Sequence, residues 1–253
     1  KPDSLDAQRG IMMLELDAGR TKEALDVARD VQRQRPKEAI GYVFEGDAHA
    51  SKKAWGDAAA AYRAGLKEVG GAELAAKLHS ALLAGGNNAE ADKFAETWLK
   101  EHAKDARFRL YLAEQASARK DYAGAARHYR VLLEAQPDNA AVLNNLAWVA
   151  GQLKDPKAVD YAEKANKLAP DQPALMDTLA VLLVDKGDSA RAMELFKKAL
   201  ELAPQASQIR LNYARALIKV GQKGEAKIQL DQLAKLGDKF PAQAAVVELQ
   251  KGL

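Results

Sequence analysis

The sequence predicts an all-α fold: seven helix-turn-helix units stacked as a solenoid and closed by a single terminal helix. Three observations predict it. Prolines recur at an interval near 34 residues, one alanine returns in every interval, and two apolar stripes of helical period lie between successive prolines. Pro2 and Pro36 are 34 residues apart, Pro137 and Pro170 are 33 apart, Pro170 and Pro204 are 34 apart, and Pro36 to Pro137 is close to three such intervals. Units of this length bury their apolar faces only against their neighbours, so they form a line of repeats rather than a shell around one core.

Residues 106–139 show the internal plan. Counting from Ala106, positions 7, 8 and 11 are Leu112, Ala113 and Ala116, and positions 20, 24, 27 and 28 are Ala125, Tyr129, Leu132 and Leu133. Each set forms one stripe on a helical wheel. The polar turn Arg119, Lys120 and Asp121 separates them. Positions 8, 20 and 27 are the sites of closest helix approach and call for small side chains. Position 8 is Gly46, Ala113, Ala147, Ala180 and Ala214 in five units, and position 20 is Ala24, Ala58, Ala91, Ala125, Ala158, Ala192 and Ala226. Position 24 carries a bulky knob in Tyr62, Tyr129, Phe196 and Leu230.

In order, residues 1–4 read as the end of a preceding unit, cut from a longer array. The seven units follow at 5–38, 39–71, 72–105, 106–139, 140–172, 173–206 and 207–236. With nothing stacked before the first, Ile11, Met12 and Leu14 are expected to be partly bare and open to self-association. The third unit fits worst, with His79 at position 8, Ala95 at position 24, Ala103 in place of proline, and glycine pairs at Gly70-Gly71 and Gly85-Gly86. Its packing is expected to be the loosest. The fifth unit is one residue short at its turn, where Pro156 suits a first helical turn. Residues 237–253 read as a single helix that covers the open end.

This pattern resembles the tetratricopeptide repeat over essentially the whole chain, which implies a right-handed superhelix with a concave groove where protein segments dock. The C-terminal half is similar to a narrower group. The run from Leu143 to Asp188, the run from Ile209 to Leu233 and the ending from Phe240 to Gln250 resemble the repeat lipoproteins of bacterial exosortase (PEP-CTERM) systems. That resemblance implies a periplasmic protein of protein sorting or exopolysaccharide export, anchored to the membrane through a segment before Lys1. A cytoplasmic adaptor or co-chaperone, and the non-catalytic arm of a larger enzyme such as a glycosyltransferase, are the alternatives.

Chemistry of other kinds finds no footing. The net charge of +3 is too small to point to nucleic acid, and basic and acidic residues alternate as on solvated helix faces. Cysteine is absent, which excludes disulfides and thiolate metal sites. The four histidines form no HExxH pair, and neither a GxSxG elbow nor a phosphate-binding glycine loop occurs. No apolar run reaches the roughly 20 residues of a membrane span. We therefore expect no enzyme activity, no cofactor and no metal, and protein or peptide segments as partners.

The groove expectation names residues. On each first helix, positions 2, 5, 9 and 12 lie roughly 130° from the packing stripe. The resemblance assigns that face to the groove: Val43 and Asp47 in the second unit, Arg107, Leu110 and Glu114 in the fourth, Asn144 and Trp148 in the fifth, Asp177 and Val181 in the sixth, Leu211 and Arg215 in the seventh. Trp148 is the natural anchor, because tryptophan is enriched at binding hot spots; the competing reading is that it fills the gap between neighbouring first helices. Asn144, one turn earlier, has the amide to hydrogen-bond an extended backbone.

Overall fold

A computed structural model describes residues 4–253, and those residues form fifteen α-helices and one 3-10 turn, with no strand among them. The preceding-unit reading of residues 1–4 falls almost wholly outside the described part. Ser4 itself is the N-cap of the first helix, its hydroxyl accepting from the Ala7 N–H at 3.2 Å.

The chain divides into two compact units, one ending at Tyr111 and one starting at Leu112. The first contains three antiparallel pairs: α1 (Leu5–Asp17) with α2 (Thr21–Gln34), α3 (Ile40–Ser51) with α4 (Trp55–Glu68), and α5 (Ala72–Ala84) with α6 (Asn88–Glu101). The division falls inside α7 (Ala106–Ala118). The second unit continues with α8 (Tyr122–Ala135), the pair α9 (Ala140–Gln152) and α10 (Ala158–Leu168), the pair α11 (Pro173–Lys186) and α12 (Ser189–Leu202), and the pair α13 (Ser207–Lys219) and α14 (Lys223–Ala234). It ends with α15 (Gln243–Lys251).

A left-handed residue closes every first helix: Gly19, Lys53, Gly86, Lys120, Lys154, Gly187 and Gly221 all have φ between 55° and 92°. Four are glycine, for which this conformation carries no Cβ clash, and three are lysine, which adopt it at a cost of about 1 kcal/mol. The turn geometry is thus set by the repeat rather than by the local residue. Of the helices that follow these turns, α8 has a side-chain cap, the Asp121 carboxylate accepting from the Gly124 N–H at 2.9 Å. The first helix α9 is capped by the Asn139 amide oxygen, which accepts from the Val142 N–H at 3.1 Å.

The seven alanines of position 20 are all buried, six of them completely. Position 8 is buried in every unit as well. At Gly46 a Cβ would fall 2.1 Å from the Tyr62 ring, so the knob at position 24 seats directly on bare backbone. Position 27 departs from the small-residue rule. Val31, Trp98, Leu132 and Leu233 are buried there, while Gly65, Ala165 and Ala199 keep a small residue at the same place. In the fifth unit α10 starts only at Ala158, so Pro156 belongs to the turn rather than to the helix.

Within residues 72–105, α5 and α6 meet less extensively than α3 and α4 or α9 and α10, in keeping with the looser packing expected there. His79 is buried against Phe108 and Tyr111, with its Nδ1 2.9 Å from the Tyr111 hydroxyl. Trp98 stacks on His102 and donates from Nε1 to Asp105 at 2.9 Å. Phe94 joins this aromatic group, its ring centroid 6.0 Å from that of Trp98 and 6.1 Å from that of Phe108. At the start of the array, Ile11 and Leu14 are 40% and 65% exposed, whereas Met12 is buried with Ala24, Ala28 and Phe44. Position 8 of α1 faces its own partner helix, which is why Met12 is covered. At the other end Phe240 and Val246 pack over Leu230 and Leu233.

Candidate binding groove

Position 5 lies about 60° around the helix from the buried position 8, and position 9 about 100°. That difference separates a floor from a wall. At position 5, Val43 and Leu211 are 5% and 1% exposed, and Leu110, Asn144 and Asp177 are half-buried. At position 9, Glu114, Trp148 and Arg215 are exposed, and Asp47 and Val181 are half-buried.

Three recesses run along these faces. In the N-terminal compact unit, one of about 270 Å³ has Val43 and Asp47 in its lining, with Met12, Met13 and Phe44. Asp47 is already engaged: its Oδ1 accepts from the Tyr62 hydroxyl at 2.6 Å and from Lys77 Nζ at 2.7 Å. Burial, and then the bond to Asp47, raise the Tyr62 phenol well above its usual range. In the second unit, a recess of about 320 Å³ brings Glu114, Asn144 and Trp148 together with Ser117, Tyr129, Asn145 and Thr178. Trp148 is 42% exposed and meets Tyr122 edge to face, with ring centroids 5.4 Å apart. It therefore neither fills an interhelix gap nor stands free. Another recess of the second unit, about 200 Å³, has Val181 and Arg215 in its wall beside Asn212 and Lys219.

Asp177 belongs to this second unit too. Its Oδ2 accepts from Asn212 Nδ2 at 2.8 Å, and burial pushes its carboxyl up to about 6 against the opposing effect of that bond. Four assigned residues do not line these recesses: Arg107 is exposed on α7, Leu110 and Asp177 are half-buried, and Leu211 is buried. Leu211 is a correction. It lies in the cluster of Leu230, Leu233, Phe240 and Val246, so the terminal segment makes a core position of a groove position.

Sequence reasoning missed Lys77, Asn145, Thr178 and Asn212, all at position 6. Lys77 and Asn212 bond to inner-face residues of the preceding first helix, Asp47 and Asp177. It also missed a larger cavity of about 760 Å³ around the shortened turn, between Lys154 to Val159 and Leu182. Gly151 lets α9 and α11 approach there, since a Cβ would sit 2.4 Å from Leu182. Among the described residues no group of three or more His, Asp or Glu could hold a metal ion, and no helix is long and apolar enough to cross a membrane.

Two family models, both described as tetratricopeptide repeat, match residues 13–73 and 183–249, together about half of the chain. Among curated proteins, anaphase-promoting complex subunit 7 of Arabidopsis thaliana is 33% identical over 163 residues, covering 62% of this chain and 28% of that protein. Cellulose synthase 2 operon protein C of Komagataeibacter xylinus is 28% identical over 229 residues, covering 87% of this chain and 17% of its own length. The chain thus spans under a third of either relative. Among solved structures, a tetratricopeptide repeat protein of Parabacteroides merdae superposes with a TM-score of 0.65 at 15% identity, over 78% of this chain and 79% of that one.

Proposed function

The chain belongs to the tetratricopeptide repeat family, and from that premise we propose that it is a non-catalytic scaffold whose inner helix faces bind segments of other proteins. The observation that carries this reading is the recess of the second unit. It joins an exposed tryptophan, two asparagines, a serine and a threonine on three first helices, the mixture of apolar anchor and backbone-pairing groups that an extended segment needs. Degenerate pools of nine-residue peptides test it. Trp148→Ala should weaken their binding at least fivefold, the equivalent of about 1 kcal/mol, with helicity unchanged. Equal affinity of variant and parent removes Trp148 from the site.

We further assign the protein to the bacterial envelope, in protein sorting or polysaccharide export. The resemblance of residues 143–250 to exosortase-associated lipoproteins supports this, as does the likeness to a cellulose synthase operon protein. Protease accessibility of the full-length protein in intact spheroplasts tests it. Digestion only after lysis would favour the cytoplasmic adaptor, and a catalytic domain on the same polypeptide would favour the arm of a larger enzyme. The exposed Ile11 and Leu14 favour self-association through α1. Ile11→Lys with Leu14→Lys should then lower the sedimentation coefficient, and an unchanged coefficient rejects it.

A further inference from the structure

Two recesses of the C-terminal compact unit adjoin at one ion pair. Lys219 Nζ stands 2.6 Å from Asp185 Oδ1, both side chains are more than half exposed, and both residues line each recess. The smaller recess, about 200 Å³, lies between α11 and α13, with Val181 and Val184 on one side and Arg215 on the other. The larger, about 760 Å³, lies at the shortened turn of the fifth repeat. Its apolar lining includes Pro156, Val159 and Leu182, and Lys154 and Lys186 stand in the same lining.

The charges of this trough do not balance. Its two carboxylates are already met by the chain: Asp185 by Lys219, and Asp155 by Arg130 at 3.1 Å and by the Lys157 N–H at 2.9 Å. Lys154, Lys186 and Arg215 are exposed, and their side chains form no ion pair among the described residues. The recesses of Trp148 and of Met12 carry no such excess. The first has Glu114 as its charged lining residue, and the second sets Arg9 and Lys77 against Asp47 and Glu73. Unpaired, accessible cations beside apolar surface favour a carboxylate with an apolar neighbour, one part gaining charge-assisted bonds and the other leaving water. A nucleic acid suits the trough less well. Its phosphates would pass Asp155 and Asp185, and no aromatic ring lines either recess for a base to stack on.

We propose that this trough docks an acidic segment of a partner protein. An apolar side chain occupies the larger recess with a carboxylate toward Lys154 and Lys186, and the segment continues past the Lys219–Asp185 pair to present a second carboxylate to Arg215. The proposal rests on the reading of the inner faces as a protein-binding surface and adds a second docking place with its own charge preference. The probes are degenerate nine-residue peptide pools titrated by fluorescence anisotropy. Three have leucine followed by two glutamates, two glutamines or two lysines at the centre, and a fourth has serine before the glutamates. The leucine-glutamate pool should bind about tenfold more tightly than the glutamine and lysine pools, and about threefold more tightly than the serine pool. Lys154→Gln with Lys186→Gln, and separately Arg215→Gln, should each cut the preference for glutamate over glutamine to about threefold or less. These positions are exposed, so the variants keep the fold. Lys93→Gln with Lys100→Gln, exposed on α6, makes the same change of net charge as the double lysine variant and should leave the preference intact. An equal fall in that control overturns the local site in favour of overall charge. A preference that survives all the trough substitutions overturns the assignment to these residues, and a serine pool as tight as the leucine one overturns the apolar part of the site. Tighter binding of a short oligothymidylate than of the glutamate pool overturns the protein partner. Equal binding of the four pools overturns the acidic preference and leaves the groove reading intact, whereas binding of none overturns both.

Discussion

Asp47 in the N-terminal compact unit and Asp177 in the C-terminal one both stand on the inner side of a first helix, yet their surroundings differ in kind. Asp47 is met by the Tyr62 hydroxyl and by Lys77, so its charge is balanced by the chain itself. Asp177 is more deeply placed, receives one amide bond from Asn212 and has a second oxygen with no donor among the described residues. The same repeat geometry thus yields one carboxylate that serves the fold and one that burdens it. Two things separate them: Asp47 stands at position 9 and Asp177 at position 5, and the neighbouring first helix offers Lys77 to the one and Asn212 to the other.

Both sites depend on the alanine seam, and the strongest way to break the comparison is to open it. Ala125→Glu or Ala192→Glu places a carboxylate where no space and no partner exist, and should destabilise the fold by about 3 kcal/mol or more, read by urea denaturation followed by circular dichroism. Unchanged unfolding would mean that the packing register is misassigned.

The next test has the opposite sign. The Asp177 carboxyl titrates near 6 in the fold, above its ordinary value of 3.8, so the folded state holds the proton more tightly than the unfolded chain. Ionisation therefore costs stability at neutral pH. The penalty is fully present above the folded value, shrinks as pH falls through it, and disappears below the unfolded value. Asp177→Asn should raise stability by about 1–2 kcal/mol at about pH 7.5, with the gain vanishing by about pH 3.5. Thermal melts across that range measure it, and a loss at neutral pH would give Asp177 a structural role like that of Asp47.

Lys77→Met sharpens the contrast from the other side. It removes the cation from a half-exposed pair and should cost about 0.5–1 kcal/mol. A neutral outcome would show that Tyr62 alone suffices for Asp47. The smallest effect belongs to the turns. Lys120→Gly or Lys154→Gly relieves a left-handed backbone, and the greater freedom of the unfolded glycine offsets part of the gain, leaving about 0.5 kcal/mol of stabilisation.

The seam was legible in the sequence because it is built within 34 residues and repeated seven times: Ala24 and Ala226 obey the same rule. The exposed face of Trp148 was legible too, since one helical wheel fixes it. The floor was not. Positions 5 and 9 differ by only about 40° on the wheel, and whether such a residue is open or covered is decided by the next helix. Leu211 is covered by Phe240 and Val246, which come after a whole further helix and turn. The packing around His79 depends on Phe108 and Tyr111 of the following repeat, and the bond to Asp47 on Lys77. Pairings of this kind join residues some 30 apart through single contacts, and nothing in the local pattern announces them.

Every joint in the array, from Ala24 to Ala226, is closed by the same methyl group. Successive repeats therefore share a common fitting, as bricks share a bed, and a gene that gains or loses one 34-codon block in phase still encodes a foldable chain. Array length becomes a quantity that recombination can change without redesign. The inner-face residues of each first helix are then free to differ from repeat to repeat without disturbing the frame that holds them.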